Sequence, residues 1–130
     1  MTITIEQAKR LAKLGVEVHA RFLFRVDERG YTIINGSAGG SVNKMIRYPQ
    51  MGIQMYEAYN AEELIAMGIK GVEITIHYDG SIGVIQLYEV ERIDTYSSTT
   101  FYGDTLAEAL CNKLIHDIEN KRVTVEEINK

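Results

Sequence analysis

The chain has 130 residues, 45% hydrophobic, 25% charged and 8% aromatic, with eleven Gly, one Pro and one Cys. That is the composition of one ordinary globular domain, not of a disordered, collagenous or multidomain chain, and at this length roughly two-thirds of the unfolded surface is buried without help from disulfides or structural metal. The formal net charge of −4 opposes tight binding to a phosphate backbone, so duplex DNA is not an expected partner.

The first predicted element is a short helix. Thr4 can cap it, Gln7 stands where a capping-box partner belongs, and Gly15 offers a left-handed stop. Ile5, Ala8, Leu11, Ala12 and Leu14 recur at helical spacing and are expected in the core. From Val16 the period changes to two, with Val16, Val18, Ala20, Phe22, Phe24 and Val26 alternating with Glu17, His19, Arg21, Leu23 and Arg25, which predicts a half-buried strand. Asp27 to Gly30 turns the chain into a second strand around Tyr31 to Ile34.

Gly36, Gly39 and Gly40 then lie among seven small or polar residues, Asn35 to Ser41, with Lys44 and Arg47 just beyond. Consecutive glycines let backbone N–H groups approach an anion. The spacing matches neither a P-loop nor a dinucleotide fingerprint, because Ser41, Val42 and Asn43 stand at the Gly-Lys-Ser/Thr positions and Ala38 replaces a required glycine. From Met45 to Tyr59 no period persists, yet Met45, Met51 and Met55 combine there with Tyr48, Tyr56 and Tyr59. Adaptable Met and large, low-entropy Tyr side chains suit a recognition surface, and the competing reading is that they finish the core.

A second helix follows, capped by Asn60 with Glu63 completing the box; Leu64, Ile65 and Met67 point inward and Gly68 ends it. Asp79-Gly80 predicts a two-residue type I′ hairpin, which sets Ile76 opposite Gly83, Ile74 opposite Ile85, Val72 opposite Leu87 and Lys70 opposite Glu89. That register makes one apolar face for helices and leaves Glu73, Thr75, His77, Ile82, Val84, Gln86 and Tyr88 on a mixed face. A strand from Thr95 to Tyr102 ends at Gly103. The last long helix is capped by Asp104 or Thr105, carries the stripe Leu106, Leu110, Leu114, Ile115 and Ile118, and sets Glu108, Asn112, Lys113, His116, Asp117 and Glu119 on the other side. Val123 to Lys130 can form one more turn, capped by Thr124, or fray. The order predicts an α+β fold, an antiparallel sheet of about five strands with helices packed against it, in a single domain over residues 1–130.

Catalytic and metal sites are not expected. His19, His77 and His116 show no ligand spacing, and Cys111 sits inside an amphipathic helix as a small buried thiol rather than as a nucleophile. Ser97 and Ser98 lack a glycine elbow, and Glu89 with Glu91 share one charged environment near Lys70 and Arg92 that would not split their pKa values. An enzyme would need a cleft gathering His77, Glu73 or a tyrosine. No cofactor is implied.

The run GDTLAEALCNKLIHDIEN, Gly103 to Asn120, resembles the carboxy-terminal helix of many small phage and prophage accessory proteins, in which an aromatic strand leads into an Asp-Thr-capped, Ala/Leu-rich helix. It covers 18 of the 130 residues. The resemblance implies an accessory role, such as binding and blocking a host or competitor factor as anti-defence proteins do, and it carries over no functional residue.

The expected function is therefore non-enzymatic: an inhibitor or accessory factor that occupies a surface of another macromolecule, a protein partner, through Tyr48, Met51, Met55, Tyr56 and Tyr59. Residues 1–50 hold eight Lys or Arg against four acids and residues 51–130 hold six against fourteen, so an acidic second half can complement a basic partner or stand in for phosphates. The alternative is a small-molecule or nucleotide-binding domain using Gly36, Gly39, Gly40, Lys44 and Arg47. Strand edges and the charge split also allow a homo-oligomer. No apolar run reaches signal-peptide or membrane-spanning length, and the single Cys suits a reducing compartment, which together predict a cytoplasmic protein.

Overall fold

Thr4 opens helix α1 (Ile5–Leu14) by accepting the Gln7 N–H on its hydroxyl while Gln7 Oε1 accepts the Thr4 N–H at 3.0 Å, the reciprocal pairing of a capping box. The helix closes with Val16 N–H on the Leu11 carbonyl and Gly15 N–H on the Ala12 carbonyl, Gly15 being left-handed at φ 96°. This is a Schellman motif. Ile5, Ala8 and Leu11 are buried, whereas Ala12, expected in the same stripe, is exposed and Leu14 is half-buried. The computed structural model describes residues 1–35, 53–67, 72–76, 79–90 and 95–130.

The strand expected from Val16 begins only at Phe22. Residues 15 to 21 run without a ladder because side chains satisfy their backbone instead. Asn129 accepts from Glu17 N–H at 2.8 Å and donates to the Gly15 carbonyl at 2.9 Å, the Tyr59 hydroxyl donates to the Val18 carbonyl, and Glu57 and Glu63 accept from the N–H groups of Ala20 and Arg21, each at 2.8 Å. Every such bond removes a reason for this segment to seek a strand partner. Its apolar residues still alternate inward, Val16 and Ala20 being buried and Val18 half-buried.

Strands β1 (Phe22–Asp27), β2 (Gly30–Asn35) and β3 (Gln54–Ala58) form an antiparallel sheet in the order β2-β1-β3. A two-residue turn at Glu28 and Arg29 joins the first two, with Asp27 accepting the Arg29 N–H and Gly30 at φ 128° after the turn. β3 lies in the stretch expected to be irregular. The amino-terminal segment runs along the end of β3, where Ile3 N–H donates to the Tyr59 carbonyl and Thr2 bridges Asn60. Helix α2 (Ala61–Ala66) follows, with Asn60 and Glu63 in a second capping box; Leu64 and Met67 are buried, but Ile65 is exposed.

Strands β4 (Val72–Ile76), β5 (Ile82–Val90) and β6 (Thr95–Gly103) form a second antiparallel sheet, in the order β4-β5-β6. The architecture is thus α+β, but among the described residues with two three-stranded sheets where one sheet of about five strands was expected. The β4–β5 register is also one residue away from expectation. Ile74 pairs with Val84, not Ile85, and Ile76 with Ile82, not Gly83. The cause lies in the turn: Asp79 accepts from both the N–H and the hydroxyl of Ser81, and Gly80 is the one described loop residue with a positive φ, where a type I′ turn needs two in succession, so the Ile76–Ile82 pair is joined by a loop longer than two residues. A one-residue slip exchanges faces. Val84, expected on the mixed face, is accordingly a fully buried core residue. The expected Lys70–Glu89 pair involves a residue outside the described ones.

Helix α3 (Leu106–Glu119), capped by Thr105, lies against β5, β6, α1 and α2. Ala107, Ala109, Leu110, Cys111 and Leu114 are buried on it, so its inward face is far wider than one stripe. Lys113 and Asp117, expected on the outer side, are 2% and 4% exposed and form an ion pair one turn apart. Thr124 caps the final turn, α4 (Val125–Ile128), whose Ile128 joins the core. One contiguous cluster links both sheets and the helices, from Ile3, Phe24 and Ala58 to Val84, Leu114 and Ile128. No helix among the described residues is long and apolar enough to cross a membrane.

Candidate functional site: the apolar margin of the first sheet

The turn at Glu28 and Arg29 fixes which side chains share a face of the first sheet. Phe24 pairs with Ile33 on one side and Tyr56 on the other, Val26 with Tyr31 and Gln54, and Phe22 with Asn35 and Ala58. Directly paired residues project to the same face. That face starts in the core, where Phe24 and Ala58 are buried, and runs out to β2, where Tyr31 is 55% and Ile33 52% exposed. The cover stops short because α1 lies against β3, two strands away from β2.

Contacts within the margin are specific. The Tyr31 ring meets Phe24 edge-on, centroids 5.4 Å apart at 87°, an arrangement that orients the tyrosine while leaving half of it in water. Tyr56 is half-buried, and its hydroxyl donates to Gln54 Oε1 at 2.6 Å. At the far end the Arg21 guanidinium lies 5.5 Å over the Phe22 ring. Among the described residues, the other exposed large apolar side chains of the folded elements, Ile65, Ile74 and Tyr102, stand on three different elements. Ile74 also pairs with a buried residue, Val84, but Tyr31 and Ile33 lie two residues apart on one face of one strand and together continue a core ladder, which is the form of surface that marks interaction sites.

The sequence-predicted anchors separate here. Tyr56 belongs to the margin. Met55, half-buried, pairs with Arg25 and so projects from the opposite face. Tyr59 is 1% exposed and holds the Val18 carbonyl, so it is a core residue with no surface to offer a partner. Tyr48 and Met51 lie outside the described residues, as do Gly36, Gly39, Gly40, Lys44 and Arg47 of the anion-binding alternative. Tyr31 and Ile33 were missed by the sequence reading, although an uncharged Tyr-Thr-Ile-Ile run directly after a tight turn is the available signal.

Chemistry elsewhere is sparse among the described residues. No group of three or more His, Cys, Asp or Glu side chains comes together to hold a metal ion. Cys111 is enclosed in α3, and burial pushes its thiol up to about 12. The His116 ring lies against Phe101, centroids 5.0 Å apart. His77 and Glu91 are outside the described residues. No family model, curated protein or solved structure matches the chain.

Proposed function

We propose that this is a non-enzymatic binding protein that occupies a surface of another protein, with Tyr31, Ile33 and Tyr56 as its apolar anchor. The observation that carries the reading is the pair of half-exposed side chains, Tyr31 and Ile33, at the outer end of a ladder that begins at buried Phe24. Aromatic and branched side chains held by a rigid sheet bury large area at little conformational cost, the property of binding hot spots. The inhibitory or anti-defence role rests on the resemblance of Gly103–Asn120 alone, and the acidic balance of residues 51–130 supports a basic partner.

The test is capture of a partner from the lysate of the source cells by tagged wild type, beside Tyr31→Ser and Ile33→Ser. Both residues are half in water, so the variants are expected to melt close to wild type and to lose a stoichiometric partner that wild type retains. Equal capture by all three proteins would remove this margin as the anchor. No capture by wild type, with turnover or a bound small molecule found instead, would overturn the binding reading itself.

A further inference from the structure

We infer that the outer edge of β2 pairs antiparallel with β2 of a second copy of this chain, about a two-fold axis at Thr32, to give a six-stranded sheet shared by two copies. Three observations converge on the edge. β2 is terminal in the order β2-β1-β3, and no strand among the described residues pairs with its other side. Its sequence from Gly30 to Asn35 carries no charge, no proline and no bulge, the devices that keep an exposed edge from pairing. Tyr31, Thr32 and Ile33 are all exposed on it.

The hairpin sets which backbone groups are free. Asp27 and Gly30 close a two-residue turn, so Gly30, Thr32 and Ile34 direct their N–H and C=O groups to β1, while those of Tyr31 and Ile33 point away from the sheet. A two-fold axis at Thr32 places Tyr31 opposite Ile33 of the second copy and Ile33 opposite its Tyr31. Each such pair exchanges two N–H···O=C bonds, four in total. Thr32 then faces Thr32 and Gly30 faces Ile34, with no like charges opposed within the strand.

The side chains agree with this register. Across the seam one face reads Val26, Tyr31, then Ile33 and Phe24 of the second copy, and the symmetric row reads the reverse, so the apolar margin becomes continuous. An isologous contact of this kind closes at two copies. It engages the edge of β2, whereas the proposed partner engages its face, so the two readings are independent.

Sedimentation velocity of the full chain across the micromolar range is expected to show concentration-dependent dimerisation. Thr32 meets its own symmetry mate at a non-hydrogen-bonded position, where Cα atoms lie about 4.5 Å apart, within disulfide reach. Thr32→Cys is therefore expected to form a covalent dimer on mild oxidation, while Glu17→Cys, exposed but away from the axis, is not. Thr32→Lys opposes two ammonium groups and is expected to weaken dimerisation by about tenfold or more. A wild-type monomer at every concentration would overturn the inference, as would a dimer indifferent to Thr32→Lys that Thr32→Cys does not link. Partner capture by a monomer would sink only the pairing; a dimer that captures nothing would sink only the binding reading.

Discussion

Lys113 and Asp117 form an ion pair inside the protein, one helical turn apart on α3, and the second carboxylate oxygen of Asp117, Oδ1, accepts no hydrogen bond from the described residues. Removing one partner leaves a buried charge alone, whereas replacing both removes two desolvation costs together. Lys113→Met is expected to lower unfolding free energy by about 3–5 kcal/mol, and the double variant Lys113→Met with Asp117→Leu to recover most of it. Urea unfolding of the three proteins, with unchanged slopes, measures this.

Gly15 and Lys121 hold equivalent positions in two Schellman motifs. At α3, Arg122 N–H reaches the Asp117 carbonyl and Lys121 N–H the Ile118 carbonyl, with Lys121 at φ 58° where α1 has Gly15 at φ 96°. A side chain in this left-handed region costs about 1 kcal/mol. Lys121→Gly is expected to stabilise the protein by about 0.5–1 kcal/mol. Gly15→Ala is expected to destabilise it by at least about 1 kcal/mol through backbone strain at φ 96° rather than through a clash, since the new Cβ would meet Val125 at an ordinary 3.5 Å.

Gly103 marks a close approach of the end of β6 to the start of α3. A Cβ there would lie 2.5 Å from the Ala109 nitrogen and 2.9 Å from the Glu108 carbonyl carbon, backbone atoms that cannot swing aside. Gly103→Ala is expected to cost about 3 kcal/mol or more, read as a fall in melting temperature.

Cys111 gives a pH signature. Its thiol is raised by burial from 9.0 to about 12 in the fold, so on raising the pH the unfolded chain loses this proton first. This contribution to stability is fully present below pH 9 and is lost between about 9 and about 12. Cys111→Ala is expected to flatten the decline in that window, and the native thiol to resist a disulfide reagent that reacts at once in denaturant.

Local chemistry explains which parts of the fold were legible in the sequence. Thr4 with Gln7, Asn60 with Glu63, and Gly15 are settled within four or five residues, and all three behave as their patterns predict. The β4–β5 register was misread because Asp79 spends its carboxylate on Ser81, a side-chain choice that the Asp-Gly pair alone does not reveal. Lys113 and Asp117 were misplaced because a helix enclosed on several sides buries more of its circumference than one stripe. Of the candidate site, Tyr56 was visible as part of a tyrosine-rich segment, but its union with Tyr31 and Ile33 depends on pairing through β1, which is a long-range outcome.

Asn129 bonds the backbone of both Gly15 and Glu17, so this early segment takes its last partner from a residue 112 positions downstream of Glu17. At ribosomal speeds of about 5–20 residues per second, the two sites are synthesised on the order of 10 s apart. During that interval α1 has its own cap and stop, but the segment after it must remain hydrated or held by other contacts. The order of synthesis and the order of completion thus run in opposite directions, since the segment after α1 is made long before Asn129 and secured only once Asn129 arrives.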